Sequence, residues 1–317
     1  MSHEVEKFDP TLPDGYPLKE DVVGEARKFI DDFQENLTGK NVYKVLGINP
    51  DKTYLIEGKP GLGKTLGIKA INNTLNRHLT KRLEDKYFSE GKTEDSISLS
   101  EFNILLFEYD IGKYGSAYIN MNSKNIQNFF DTAFNYANLG KSVLVSVDEA
   151  DSLFTSRKGK VQSHSEDRKV LDTLMKNIQT AHDTENVYVT LMTNLSEDMD
   201  DASLRAGRID RRIKLQLPNK EERGLAYEHA INQANDRANY KVIRTNNIET
   251  LISLSDGFNY ADIFQSVEYA LRIKAKDLIR TKKKGVVRAG YIQQGSLEKA
   301  VSFHKDSFKV KKKTIGF

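Results

Sequence analysis

Five short apolar runs, at residues 52–57, 103–109, 142–147, 187–192 and 213–217, punctuate the first two thirds of this chain. Each has the length of a buried strand. Between them, apolar residues recur at three- and four-residue spacing over 25–37, 65–79 and 123–137, which predicts helices. In the last of these, Ile126, Phe129, Phe130, Ala133 and Phe134 share one face and read as core. Strands alternating with helices, without hairpin signals, predict an α/β unit: a parallel five-stranded sheet covered by helices on both faces. Ligands of such sheets sit at the carboxyl ends of the strands. After Pro218 only helical spacing remains, at 220–238, 247–255, 260–280 and 296–305. The expected division is therefore an arm over 1–20, holding Pro10, Pro13 and Pro17, a large α/β domain over 21–218, and a small helical domain over 219–317. Residues 72–100 are polar and read as an insertion or an extended helix and loop.

Composition narrows the class. Hydrophobic residues make up 38% and charged residues 29% of 317 positions, the balance of a globular protein. With no cysteine, disulfides, thiolate metal sites and thiol nucleophiles are excluded. The six histidines show no metal-ligand spacing. No apolar run approaches the roughly 18 residues of a membrane span, and residues 1–8 are polar rather than a leader, so a cytoplasmic location is expected. The net charge of +3 is uneven: residues 272–317 hold 14 Lys/Arg against 3 Asp/Glu, leaving a net −8 elsewhere. The runs Lys282-Lys283-Lys284 and Lys311-Lys312-Lys313 form a solvated face and tail, with contact to nucleic acid or an acidic partner as the alternative.

The chemistry collects at three strand ends. Gly58-Lys59-Pro60-Gly61-Leu62-Gly63-Lys64-Thr65 fills every fixed position of the phosphate-cradling loop G-x-x-x-x-G-K-[ST], between a predicted strand and a predicted helix. There, backbone N–H groups and a helix amino terminus surround phosphate oxygens, Lys64 reaches the β/γ-phosphates and the Thr65 hydroxyl can ligate Mg²⁺. Asp148-Glu149 ends the third strand, where Asp148 can hold Mg²⁺ and Glu149 can polarise an attacking water. Asn194 follows the fourth strand and fits a side chain that senses the γ-phosphate or the water; its N-x-S context would otherwise suggest glycosylation, which the composition opposes. Downstream, Arg205, Arg208, Arg211 and Arg212 lie within eight residues.

These segments, in this order, resemble those of the AAA ATPases, the remodelling branch of the AAA+ superfamily that includes katanin, spastin and the valosin-containing protein. The resemblance extends from about Asp21 to the last helix. It implies a P-loop NTPase domain followed by a small all-helical AAA+ lid, with ATP and Mg²⁺ as cofactors. Gly58 to Thr65, with Leu66, is similar to Walker A, and Val143 to Asp151 to Walker B, implying Thr65 and Asp148 for Mg²⁺ and Glu149 for water activation. Asn194 matches sensor 1. Leu204 to Asp210 is similar to the family's L-R-x-G-R-F-D segment, which implies that Arg205 and Arg208 are arginine fingers acting on a neighbouring subunit's nucleotide. Val22, Val23 and Gly24 are similar to the segment that reads adenine. Gly257 to Asp262 resembles the small-domain motif that closes over the nucleotide, bringing in Ala261. Tyr118 and Ile119 fall on the pore loop that grips polypeptide, with Tyr114-Gly115 as a competing register. Lys59, Leu62, Asn120 and Tyr260 depart from the common pattern.

The implied partners are further copies of the chain in a ring, usually of six, and a protein substrate or adaptor. The expected function is an ATP-hydrolysing, ring-forming remodeller or unfoldase. An alternative from another class is a nucleic-acid-associated AAA+ loader or assembly factor using the basic carboxyl-terminal segment. A third, a switch that binds ATP and hardly hydrolyses it, finds no support in the residues, since every catalytic position is filled.

Overall fold

The computed structural model describes residues 45–48, 50–69, 71–73, 76, 104–114, 121–154, 164–194, 209–280 and 290–314. It divides into two compact units between Leu215 and Gln216, with residues 61–63 grouped with the second. Val22, Val23, Gly24, Tyr118, Ile119, Arg205 and Arg208 lie outside the described residues, as do the expected arm and the expected 25–37 helix.

The first unit is built on strands β1 (Thr53–Glu57), β2 (Leu105–Asp110), β3 (Val143–Asp148), β4 (Val187–Thr193) and β5 (Arg211–Lys214). They form one sheet in the order β2-β3-β4-β1-β5, and every pair is parallel. The apolar runs form strands because both faces of this sheet are covered. Alternate residues point to opposite sides. Leu55, Val145 and Val189 join one core with Phe107, Phe129, Phe130 and Leu174, whereas Tyr54, Ile56, Leu144 and Tyr188 join a second with Ile68 and Ile71. Helix Met121–Asn138 supplies Phe129 and Phe130 to the first core, β2 supplies Phe107 and Tyr109, and helix His164–Asp183 packs beside them.

Several boundaries differ from the sequence expectation. β2 ends at Asp110 and β3 at Asp148, one residue later than the apolar runs, because Asp110 and Asp148 still pair across the ladder. A single helical turn, Ile111–Tyr114, follows β2 directly. β5 is Arg211–Lys214 rather than 213–217. As an edge strand it is set by pairing with β1, Tyr54 opposite Arg211 and Glu57 opposite Lys214, and edge positions accept charge.

Among the described residues, the second unit holds four helices: Lys220–Ala238, Ile248–Leu254, Tyr260–Arg280 and Gln294–Thr314. The first begins with a capping box, Asn219 Oδ1 accepting from Glu222 N at 2.9 Å and Glu222 Oε2 from Asn219 N at 2.8 Å. Asn247 caps the second. The last helix runs past its expected span of 296–305 at both ends, and Leu297, Ala300 and Val301 on it enter the core. One parallel bridge, Ile243 to Ile292, ties the connections together.

Candidate functional site

The site begins where β1 ends. Gly58 N donates to Thr193 O at 3.2 Å, holding the start of the glycine loop against the end of β4. Gly61 and Gly63 have φ of 82° and 80°, a left-handed conformation that a side chain would strain. The chain then turns helical at Lys64, leaving the first backbone N–H groups of that helix without intrahelical partners and directed into the loop. Lys59 and Pro60 are exposed, Leu62 is buried, and Leu66 is half-buried in the helix behind the loop.

Lys64 is buried, and its Nζ donates to Gly58 O at 2.7 Å, Lys59 O at 3.3 Å and Asn194 Oδ1 at 2.6 Å. Burial lowers its pKa from the ordinary lysine value, against the opposing charges of Asp148 and Asp151. The loop lysine and the residue after β4 are thus joined directly. Asn194 N in turn donates to Asp151 Oδ1 at 3.2 Å, and Ala150 N donates to Met192 O at 3.0 Å, so the ends of β3 and β4 are locked together beyond the ladder.

Thr65 Oγ1 donates to Asp148 Oδ2 at 2.8 Å, and Glu149 N donates to Asp148 Oδ1 at 2.8 Å. A hydroxyl and a carboxylate from two elements therefore converge with both carboxylate oxygens oriented. Mg²⁺ fits this donor set: it favours hard oxygens, takes one or two protein ligands and fills the rest of its octahedron with water and phosphate. Among the described residues no group of three or more His, Cys, Asp or Glu could hold a metal by itself.

Glu149 is exposed and left-handed, with φ of 55°. Partial burial raises its carboxyl pKa above the ordinary glutamate value, helped by the charges of Asp110, Asp148 and Asp151. Four carboxylates thus stand around one strand end. Asp110 was not expected here. It is brought opposite Asp148 by the β2–β3 register, and its Oδ1 accepts from Lys113 N at 3.0 Å. Asp151, in the Asp148-Glu149-Ala150-Asp151 run, was visible in sequence as an acidic residue but not as the partner of Asn194.

A second unforeseen residue lies at the opposite end of β1. Asp210 Oδ2 accepts from Lys52 N and Thr53 N, both at 2.8 Å, while Asp210 N donates to Thr53 O at 2.9 Å. Asp210, the last residue of the 204–210 stretch, is therefore tied to the strand that leads into the phosphate loop. Next to it, Arg211 Nε pairs with Asp51 Oδ2 at 2.6 Å on the surface. Ala261, expected at the nucleotide, lies in the first turn of helix Tyr260–Arg280 of the second unit.

Of the expected residues, then, Lys64 is hydrogen-bonded to Asn194 and Thr65 to Asp148, and Glu149 joins the second pair through its backbone N–H. No helix among the described residues is long and apolar enough to cross a membrane.

Residues 54–217 match the model of the ATPase family associated with various cellular activities (AAA). The chain is similar to an AAA ATPase forming ring-shaped complexes from Corynebacterium urealyticum, 29% identical over 185 residues, covering 57% of this chain and 31% of that protein. It is also similar to proteasome-associated ATPases. That of Mycobacterium ulcerans is 29% identical over 240 residues, 73% of this chain and 37% of that protein. That of Mycolicibacterium smegmatis is 31% identical over 182 residues, 57% and 28% respectively. The chain spans about a third of the length of these relatives.

Proposed function

The chain belongs to the ATPase family associated with various cellular activities, and from that premise we propose that it hydrolyses ATP as a subunit of a ring that remodels or unfolds protein substrates in the cytoplasm. The observation that carries this reading is that Lys64 bonds Asn194 while the adjacent Thr65 bonds Asp148, at the carboxyl ends of β1, β3 and β4, with Glu149 beside them. In it, Gly58 to Leu66 cradle the phosphates, and Lys64 moves its charge from loop carbonyls to the β/γ-phosphates. Thr65 and Asp148 hold Mg²⁺, which when bound neutralises charge on the phosphates. Glu149 takes the proton of the attacking water, a function for which a raised pKa suits it. Asn194, already joined to Lys64, orients that water or the γ-phosphate. Val22, Val23, Gly24 and Ala261 complete the nucleotide pocket, and Arg205 and Arg208 act across a subunit interface. Tyr118 and Ile119 grip the polypeptide. The ring-forming relative supports a ring, and the resemblance to the AAA family makes a hexamer the proposed one.

The test is steady-state ATPase activity of the wild type, Glu149→Gln and Tyr118→Ala, with an unfolded polypeptide or single-stranded DNA titrated in. Loss of the water-activating carboxylate should lower kcat by about 10²- to 10⁴-fold, with nucleotide binding kept. Stimulation by polypeptide should vanish in Tyr118→Ala. Stimulation by DNA alone would replace the remodeller with a nucleic-acid-associated loader using the basic 272–317 segment, and full activity of Glu149→Gln would overturn the site.

A further inference from the structure

We propose that Gly112 is a positioning residue for hydrolysis: its bare backbone is the seat of the Glu149 carboxylate, so the turn that closes β2 sets where those oxygens stand. The inference rests on the reading of Glu149 as the water-activating group.

Gly112 lies inside the helical turn Ile111–Tyr114 and is absent from the residues with positive φ. Its backbone conformation is one that any residue adopts. Glycine is also the poorest helix former apart from proline, and Gly112 is exposed, so no core packing demands it. What excludes a side chain is space. A Cβ on Gly112 would overlap Glu149 Oε2 and stand 3.2 Å from Glu149 Cδ and 3.3 Å from Asp110 Oδ1. The turn itself is fixed from both sides: Asp110 Oδ1 accepts from Lys113 N at 3.0 Å, and the Asp110–Asp148 register fixes the end of β2 against the strand that bears Glu149. Since the overlapping atom is the far end of a flexible side chain, an added methyl group displaces the carboxylate rather than the fold. That predicts a defect in catalysis alone.

Gly112→Ala should melt and sediment as the wild type does. By calorimetry it should bind ADP within about two-fold of the wild type while kcat falls by about 10²-fold, the cost of misplacing a reacting group by about an ångström. Gly295→Ala, where a Cβ meets nothing within 4 Å, serves as the control and should keep wild-type kcat. In a Glu149→Asp background, whose carboxylate is withdrawn by one methylene, adding Gly112→Ala should cost no more than about two-fold, which a merely structural role for the glycine would not produce. Wild-type kcat in Gly112→Ala, weakened ADP binding, a lowered melting midpoint, or full additivity with Glu149→Asp would each overturn the proposal. If Glu149→Gln itself is fully active, the underlying reading fails instead; if Glu149→Gln is inactive and Gly112→Ala is not, only this inference fails.

Discussion

Replacing Asp210 with alanine tests whether a single side chain ties the entrance of β5 to the start of β1. One oxygen, Oδ2, accepts the backbone N–H groups of both Lys52 and Thr53 at 2.8 Å, and the side chain is only 17% exposed. Hydrogen bonds to a charged group contribute about 1.5–3 kcal/mol each, and removing the acceptor leaves both donors with reduced access to water. The two bonds share one oxygen and are not additive, so the expected loss is about 3 kcal/mol, near the lower sum. With a urea dependence of about 2–3 kcal/mol per molar, that lowers the midpoint by about 1 M. The chain has no tryptophan, so far-ultraviolet circular dichroism is the suitable probe. Asp210→Asn keeps an acceptor oxygen without the charge and should lose about 1 kcal/mol. The matched control is Arg211→Ala at the next position. Its ion pair with Asp51 joins side chains 51% and 36% exposed and should contribute less than about 1 kcal/mol. If Asp210→Ala is as mild as Arg211→Ala, the reasoning that two capped strand N–H groups make this tie is refuted.

Lys64→Ala should weaken ATP binding by about 30-fold or more, the equivalent of one charge-assisted contact of about 2 kcal/mol, measured by calorimetry; unchanged affinity would contradict a phosphate role. Glu149→Gln should show a pH-dependent gain in stability without nucleotide. The carboxyl is held above its ordinary value by burial and by Asp110, Asp148 and Asp151, so the wild type loses stability as pH rises from the unfolded pKa through the folded one. The variant should therefore melt higher than the wild type at pH 8, with the gap closing toward pH 4. A gap of constant size would mean that the carboxylate cluster carries no such strain. Mixing Arg205→Ala with Lys64→Ala subunits should recover ATPase activity, because mixed rings contain some complete sites; no recovery despite subunit exchange would remove the fingers from the interface.

The residues that were legible in sequence are those whose signal lies within one element. An apolar run that stops at two acids, as Val143 to Val147 does before Asp148-Glu149, announces a buried strand and its chemical end together. The glycine loop is equally local, since Gly61 and Gly63 need a left-handed backbone that their residue type permits. The sheet's two-sided core followed from continuous apolar strands, because a strand covered on both faces has no polar alternation to mislead the eye. β5 does not follow that logic. Arg211–Lys214 owes its pairing to Asp210 and to β1, whereas the apolar run 213–217 continues to Leu217, which is 47% exposed.

Asp110 and Gly112 show a different limit. Nothing in Asp110-Ile111-Gly112 reads as more than the end of a strand and a loose glycine. The meaning of both comes from β3, where parallel register puts Asp110 opposite Asp148 and carries the turn at Gly112 up to Glu149. Periodicity records which face of its own element a residue occupies. Register between strands far apart in sequence decides which turn meets which, and that depends on the packing of the whole sheet. Residues whose function is to shape or polarise a neighbour are therefore the ones a motif leaves out. The acidic ring around Glu149 is the example with chemical consequence. A glutamate free in water would ionise in its ordinary range; here loss of water raises its affinity for a proton first, and the three aspartates gathered by register and turn add to it.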